Sequence, residues 1–255
     1  MVVEVEPGGR HSLIPLFANC RHDRVLIDSV LEGHFGRAYA DSADGPAVAR
    51  LDSGAFTMLG GNPRAAGVRD LLRVASVHYV TPQTAEWRAT LEGEFGPWLS
   101  TLPFVEFSAA ALDRAHLLAF SRALPAGFEL RCVDQALAER LPADLGNDGF
   151  LECFHSIADF LKRGIGYCVV CQGRIVSAAT SMARSLWAID IEIETAPGYR
   201  RRGLATAVGA RLVVQCLEWG IKPCWLAANA ASEGLARKLG YVRGSRYETL
   251  AIDEP

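Results

Sequence analysis

The chain has 255 residues, half of them hydrophobic and 22% charged, so it holds enough apolar material for a buried core and is not a disordered protein. A net charge of −3 gives no overall attraction to nucleic acid or to an anionic membrane. The acidic N-terminus is unlike a secretory signal, no apolar run reaches the roughly 18 residues of a membrane span, and the seven cysteines have no regular spacing, so we expect a cytoplasmic protein with free thiols.

Two halves are predicted, joined by the breaker cluster Leu124-Pro125-Ala126-Gly127. We assign residues 1–125 to a smaller N-terminal α/β domain and residues 126–255 to a C-terminal domain. In the first half, hydrophobic alternation and turn residues predict strands at 36–40, 47–51, 55–59, 77–80 and 104–108, with helices at 63–74 and 84–95. Neither an internal repeat nor a catalytic motif is visible in this half.

The second half has the clearer periodicity. Its predicted strands lie at 128–133, 167–171, 174–180, 187–195, 224–228 and 247–252, and its predicted helices at 135–140, 148–162, 204–219 and 231–238. The long helix at 204–219 is expected to bury Val208, Leu212, Val213, Cys216 and Leu217. This order predicts an α/β (α+β) fold with a mixed sheet and helices on both faces.

The most informative segment is Pro197-Gly198-Tyr199-Arg200-Arg201-Arg202-Gly203-Leu204-Ala205-Thr206, which lies between a strand and the long helix. A tight loop that leads into a helix presents backbone N–H groups without partners and the positive end of the helix dipole. Such a loop binds phosphate oxygens, and Gly203 allows a close approach of the backbone to a ligand. Three arginines alone would more often be a solvated charged loop, but their position and the glycine spacing favour an anion site.

These residues carry a family resemblance. Arg200-x-x-Gly203-x-Ala205 is similar to the Arg/Gln-x-x-Gly-x-Gly/Ala signature of the GNAT superfamily of N-acetyltransferases. Asn229 and the segment Leu235–Tyr241 resemble the later strand and helix of that superfamily, which end in Gly-Phe/Tyr. The resemblance covers roughly residues 127–255, and implies a mostly antiparallel mixed sheet flanked by helices.

The sequence around these motifs resembles a bacterial subgroup of the superfamily with an extra N-terminal α/β region. It is carried by Phe154-His155-Ser156-Ile157, Gly164-Ile165-Gly166 and Glu192-Ile193-Glu194-Thr195. The resemblance assigns no single reaction to this subgroup, and it leaves residues 1–125 as either part of the acceptor site or a degenerate GNAT-like unit.

The resemblance to the superfamily implies acetyl-CoA as the acyl donor. Its pyrophosphate would bind the amides of residues 202–206, with the arginines screening its charge. Backbone groups of the strand end would hold the pantetheine arm, and Asn229 would contact the donor from the other side. The implied donor-binding residues are Ile193, Thr195, Arg200, Arg201, Arg202, Gly203, Leu204, Ala205, Thr206 and Asn229.

The transfer requires a base, because a primary amine with a pKa of about 10 must lose a proton before it attacks a thioester. Strand alternation places Asp190, Glu192 and Glu194 on one face. These three acidic groups would attract a cationic acceptor, and their mutual repulsion would raise the pKa of at least one of them. Glu192 and Glu194 are the two candidate bases. A solvent-facing acidic strand without a catalytic part is the third interpretation.

A general acid is harder to assign. Many members of the superfamily have a tyrosine five residues before the Gly-Phe/Tyr aromatic residue, and this chain has Ala236 there. Ser232 on the same helix is the substitute candidate, although it could equally help to cap that helix. A CoA thiol with a pKa of about 8.5 could also leave without help.

Two cysteine patterns carry less weight. Cys168-x-x-Cys171 places its sulfur atoms on opposite faces of a strand and has no second pair, so no metal site is expected. Cys224, with His155 as its base, could accept an acyl group, but burial as a small apolar residue is favoured.

The sequence therefore predicts an enzyme, an N-acetyltransferase that uses acetyl-CoA and needs no metal. The expected acceptor is a small cationic amine, which attacks directly within a ternary complex, and the chain is expected to be a monomer or homodimer without nucleic-acid or membrane partners. The alternatives are a degenerate domain that senses acyl-CoA without turnover, and an acyl-CoA hydrolase or O-acyltransferase.

Overall fold

A computed structural model describes residues 2–253 of the chain. The chain forms two compact units, of which the first combines the segment up to Phe104 with the segment from Tyr247, and the second runs from Val105 to Arg246. These limits differ from those of the two predicted domains, 1–125 and 126–255, and the assignment of domains stays a prediction.

The strands of the described residues are numbered in chain order. They are β1 (Val3–Glu4), β2 (Arg37–Ala40), β3 (Val48–Ser53), β4 (Phe56–Gly61), β5 (Tyr79–Val80), β6 (Leu99–Ser108), β7 (Glu129–Cys132), β8 (Gly166–Cys171), β9 (Arg174–Arg184), β10 (Ala188–Thr195), β11 (Lys222–Ala227) and β12 (Val242–Ile252). The helices are α1 (Ile14–Phe17), α2 (Arg24–Leu31), α3 (Val68–Leu72), α4 (Ala85–Phe95), α5 (Arg114–Arg122), α6 (Gln135–Ala138), α7 (Leu141–Leu145), α8 (Ile157–Arg163), α9 (Leu204–Trp219) and α10 (Ala230–Leu239).

In the first unit, strands β1 to β4 pair in sequence as an antiparallel meander. Strand β5 lies parallel to β4. The sixth strand of this unit is the end of β12, whose Leu250 and Ala251 pair antiparallel with Val80 and Tyr79. The unit therefore takes its sixth strand from a distant part of the chain.

The second unit repeats this order with other strands. Strands β7 to β10 form an antiparallel meander, β11 lies parallel to β10, and β6 pairs antiparallel with β11. Helix α9 packs on one face of the sheet against residues such as Ile189 and Val176, and α6 to α8 pack on the other face against Cys168 and Ala178. The predicted mixed, mostly antiparallel sheet flanked by helices is confirmed.

The first unit is braced by a buried arginine. The side chain of Arg50 on β3 is 1% exposed and donates to Asp52 at 2.8 Å. It also donates to the backbone carbonyls at the end of α3 and in the turn after it, those of Leu71, Leu72, Ala75 and Ser76, at 2.9–3.2 Å. Carbonyls at the end of a helix lack some of the partners that carbonyls in its middle have, so this one guanidinium supplies hydrogen bonds at the helix end and fixes α3 on the sheet.

Helix α9 begins and ends where the sequence predicts, between Gly203 and Gly220, which both have a left-handed backbone, with φ of 82° and 67°. Four of the five side chains that we expected it to bury are buried, but Leu217 is 36% exposed. It lies near the end of the helix, and the sheet contacts come from the residues before it.

The prediction of one helix over residues 148–162 is wrong. A 3-10 turn forms at Gly149–Leu151, and α8 starts only at Ile157. The break has a local cause, because the Ser156 hydroxyl accepts from the Asp159 amide at 3.1 Å and so begins a new helix. Phe150, Phe154 and Phe160 are nevertheless buried, as the apolar spacing predicts.

Among the helices of residues 2–253, none combines the length and the apolar character that crossing a lipid bilayer requires.

We predict that Arg50→Met lowers the free energy of unfolding by about 3–5 kcal/mol, because it leaves Asp52 and the α3 carbonyls without their buried partner. Arg73→Met is the matched control: its side chain is 68% exposed and pairs with Glu94 on the surface, so a change below about 1 kcal/mol is expected. Urea unfolding of the full chain measures both. Equal losses in the two variants would contradict the role of Arg50.

Candidate functional site

The second unit opens where two parallel strands diverge. Among the described residues, β10 and β11 pair at three positions, Ala188 to Asp190 with Lys222 to Cys224. Beyond them β10 continues to Thr195 beside β9, while β11 continues to Ala227 beside β6. The edge of β10 that faces β11 beyond Asp190 is therefore available to an extended ligand.

The loop after β10 ends in a conformation that exposes the start of α9. Arg201 and Gly203 both have left-handed backbones, with φ of 64° and 82°. No side chain of the described residues caps α9 at Gly203, and a Cβ built on this glycine meets nothing within 4 Å. The first amides of the helix thus face open space, as an anion site requires.

Two of the three arginines in this loop also contact the loop itself. Arg200 donates to the Thr195 carbonyl at 3.0 Å and to the Glu194 carboxylate at 3.2 Å. Arg202 donates to the Gly198 carbonyl at 3.2 Å and lies over the Tyr199 ring. These contacts hold the Arg200 side chain against the end of β10 and the Arg202 side chain against Gly198 and Tyr199 of the loop.

Glu192 lies in a sheltered part of the acidic strand face. Asn147 Nδ2 donates to Glu192 Oε1 at 2.7 Å. Burial raises the pKa of Glu192 above its usual value, the Asn147 hydrogen bond opposes that rise, and the charges of Glu194 and Glu152 add to it. A carboxylate with a raised pKa accepts a proton more readily at neutral pH, which suits a general base.

Glu194, the second candidate base, is engaged differently. Its Oε1 accepts from the Thr195 amide at 2.8 Å and from Arg200 at 3.2 Å. These two contacts occupy Oε1 and hold the Glu194 side chain against the end of β10 and Arg200. Of the two carboxylates, Glu192 therefore has the geometry and surroundings of a base, and Glu194 connects β10 to the arginine loop.

Asn229 and Ser232 lie together at the start of α10. The Asn229 side chain caps this helix by accepting from the Ser232 amide at 2.9 Å. The Ser232 hydroxyl accepts a hydrogen bond from the buried Trp225 indole at 3.1 Å. Asn229 keeps its amide NH₂ group for a ligand, and Ser232 keeps its own proton for donation.

The position of the superfamily's usual tyrosine is part of the hydrophobic core. Ala236 is fully buried there, and Tyr241 is also buried, with its hydroxyl donating to the Pro223 carbonyl at 3.2 Å. Burial raises the pKa of Tyr241 well above its usual value. Both positions serve packing.

Cys224 lies opposite Asp190, at the point where the strands separate. Burial, together with the Asp190 charge, raises the pKa of its thiol to about 12, so it is protonated at neutral pH and is a poor nucleophile. His155, its proposed partner, is exposed, and its amide donates to Asp159.

Cys168 and Cys171 pack into clusters on opposite faces of the sheet, as their strand spacing predicts. Within residues 2–253, no group of three His, Cys, Asp or Glu side chains could hold a metal ion.

Sequence reasoning missed Asn147, because the residue lies far from β10 in the chain. The signal was the turn composition Gly146-Asn147-Asp148-Gly149, in which Gly146 has a φ of 68° and ends α7. This composition predicts an irregular segment, but it does not predict which strand the segment contacts.

Comparison with known proteins extends this picture over the whole chain. The family model described as GNAT acetyltransferase matches residues 14–250. The chain is 27% identical over 250 residues to the uncharacterized N-acetyltransferase YdfB of Bacillus subtilis (strain 168), a match that covers 93% of this chain and 94% of that protein.

Solved structures agree with that match. A GCN5-related N-acetyltransferase-like protein from Streptococcus suis 89/1591 superposes with a TM-score of 0.85 at 27% identity, covering 96% of this chain and 99% of that one. A tandem GNAT protein from the clavulanic acid biosynthesis pathway shares the fold, with a TM-score of 0.59 at 14% identity and coverage of 100% and 99%.

We predict that Gly203→Ala destabilises the protein by about 1–2 kcal/mol, because an L side chain is strained at a φ of 82°. Gly198→Ala in the same loop is the control, since Gly198 has neither a positive φ nor a close neighbour, and no loss is expected. Thermal unfolding of both variants decides the matter. Similar melting temperatures for the two would show that the left-handed backbone at Gly203 is not required.

Proposed function

The chain belongs to the GNAT acetyltransferase family, and on that premise we propose that it transfers an acetyl group from acetyl-CoA to the amine of a small cationic acceptor. The observation that carries this proposal is the placement of Glu192 on the same strand that leads into the exposed start of α9. A donor site and a base are thereby attached to one strand, β10.

The residues of the second unit fit such a donor. The amides of residues 202–206 and the guanidinium groups of Arg201 and Arg202 would hold its pyrophosphate, because they present N–H donors and positive charge at an uncapped helix start. Ile193 and Thr195 would contact the pantetheine arm along the open edge of β10, and Asn229 would contact it from the side of β11. Acetyl-CoA supplies an activated acetyl thioester.

Glu192 takes a proton from the acceptor's ammonium group, and the freed amine nitrogen bonds to the acetyl carbon as the carbon–sulfur bond breaks. The nitrogen loses its second proton as the amide forms. The CoA sulfur leaves as thiolate and takes a proton from solvent, or takes the Ser232 hydroxyl proton, which the second proton of the nitrogen then replaces. Glu192 returns its proton to solvent, so that the products are an acetylated amine, CoA with its thiol and one released proton. Transfer is direct, since the Cys224 thiol is protonated and unsuited to carry the acetyl group.

The acceptor's charge follows from the surroundings of Glu192. The charges of Glu194 and Glu152 both act on Glu192, and Arg200 pairs with Glu194. Carboxylates gathered at one site favour a positively charged acceptor over an acidic one.

We predict that Gly203→Glu abolishes binding of acetyl-CoA, because it places a carboxylate where the pyrophosphate binds. Calorimetric titration of acetyl-CoA measures this, with Gly198→Ala as the control that keeps the affinity of the unchanged protein. Absence of acetyl-CoA binding by the folded unchanged protein would contradict the proposal.

We predict that Glu192→Gln lowers kcat about 10²–10⁴-fold at unchanged affinity for acetyl-CoA, because it removes the base but not the donor site. Glu194→Gln should have a much smaller effect. The measurement is release of free CoA thiol with a panel of amines. Equal measurable rates for Glu192→Gln and the unchanged protein would contradict the role of Glu192 as the base. Binding of acetyl-CoA without thiol release in either protein would favour a non-catalytic acyl-CoA sensor, and thiol release without any amine would favour a hydrolase.

A further inference from the structure

Asn147 is held rigidly against Glu192 by the turn in which it lies. Its Nδ2 donates to Glu192 Oε1 at 2.7 Å, and its Oδ1 accepts from the Gly149 amide at 2.8 Å. The second contact fixes the orientation of the amide, so that the NH₂ group points at the carboxylate. Glu192 is thus left with its other oxygen, Oε2, for an acceptor.

The same turn brings a second carboxylate close to Glu192. A Cβ built on Gly149 would lie 4.0 Å from Glu152 Oε2 and 4.0 Å from Glu192 Cδ, so both carboxyl groups border this glycine. The turn is tied to the sheet, because the Thr180 hydroxyl donates to the Phe150 carbonyl at 2.7 Å. Thr180 is the β9 partner of Glu192, which fixes the turn beside that residue.

The other charged and titratable groups around Glu192 belong to its own strand and the strands and loop beside it. They are Asp190 and Glu194 on β10, Arg200 on the loop after β10, where it holds Glu194, and Cys224 on β11, beside Asp190. Asn147 and Glu152 differ from these groups because they reach Glu192 from a separate segment.

We propose that Asn147 and Glu152 are positioning residues for the acetyl transfer: Asn147 orients the Glu192 carboxylate and stabilises its charged form, and Glu152 opposes that charge. The proposal rests on the proposed function, in which Glu192 is the base. The two residues therefore act in opposite directions on one proton, and together they set the pH at which Glu192 can accept it.

Side-chain titration of Glu192 tests this without any substrate. The carboxyl carbon of Glu192 is followed by ¹³C NMR on the full chain, with Glu192→Gln used to assign the signal. We expect Asn147→Ala to move the titration midpoint up by roughly 1–2 pH units, the value of one hydrogen bond to a charged group. We expect Glu152→Gln to move it down by on the order of a few tenths of a pH unit.

Asp148→Asn is the matched control, because it removes one negative charge from the same turn at an exposed position. Its midpoint should equal that of the unchanged protein. A midpoint that stays or falls in Asn147→Ala, or that fails to fall in Glu152→Gln, overturns the proposal. Melting temperatures of all variants show whether a change comes from loss of the fold.

Kinetics separate this inference from the proposed function. The acid limb of kcat/KM against pH should move up in Asn147→Ala and down in Glu152→Gln, while affinity for acetyl-CoA stays constant. If acetyl transfer is observed and its pH profile is the same in both variants as in the unchanged protein, the inference is overturned and the proposed function still stands. Midpoints that move as expected in a protein without any acetyl transfer overturn the function but leave the positioning of Glu192 in place.

Discussion

The divergence of two parallel strands is the constraint on which the site in the second unit depends. Strands β10 and β11 pair only as far as Asp190 and Cys224, and beyond that point each keeps only its other, antiparallel neighbour, β9 for β10 and β6 for β11. Backbone groups in the middle of a sheet normally satisfy one another. Here the last residues of β10 border an opening in the sheet, so that a ligand can use hydrogen-bonding groups that would otherwise be consumed by a strand.

Charge is arranged along this strand in a way that separates two tasks. On β10, Glu192 contacts the turn at Asn147, and the arginines follow in the loop before α9. The pair between Glu194 and Arg200 lies between them. In the proposed function, an anionic donor and a cationic acceptor would therefore approach the same strand from regions of opposite charge.

Prediction from sequence succeeded where a structure is determined by neighbouring residues. Helix α9 could be placed because the glycines at both of its ends accept left-handed backbones, and the alternation of β10 correctly separates Glu192 from Ile193. Prediction failed where distant contacts or a local cap decide. The Ser156 cap divided an apparently continuous apolar helix pattern, and the contacts that distinguish the surroundings of Glu192 and Glu194 involve Asn147 and Arg200, which the alternation of β10 does not indicate. The shared strand order of the two units is likewise invisible in the sequence, because pairing order depends on backbone geometry more than on residue identity.

The first unit takes its sixth strand, the end of β12, from beyond the second unit in the chain, and this has a consequence for the order of folding. The part of β12 from Tyr247 onward follows the second unit in the chain, yet its Leu250 and Ala251 supply the sixth strand of the first unit. During synthesis, β5 must therefore remain an unprotected sheet edge until the second unit has been translated. The second unit differs, because its sixth strand, β6, is synthesised before its first helix. The first unit is therefore the first to be synthesised and the last to complete its sheet.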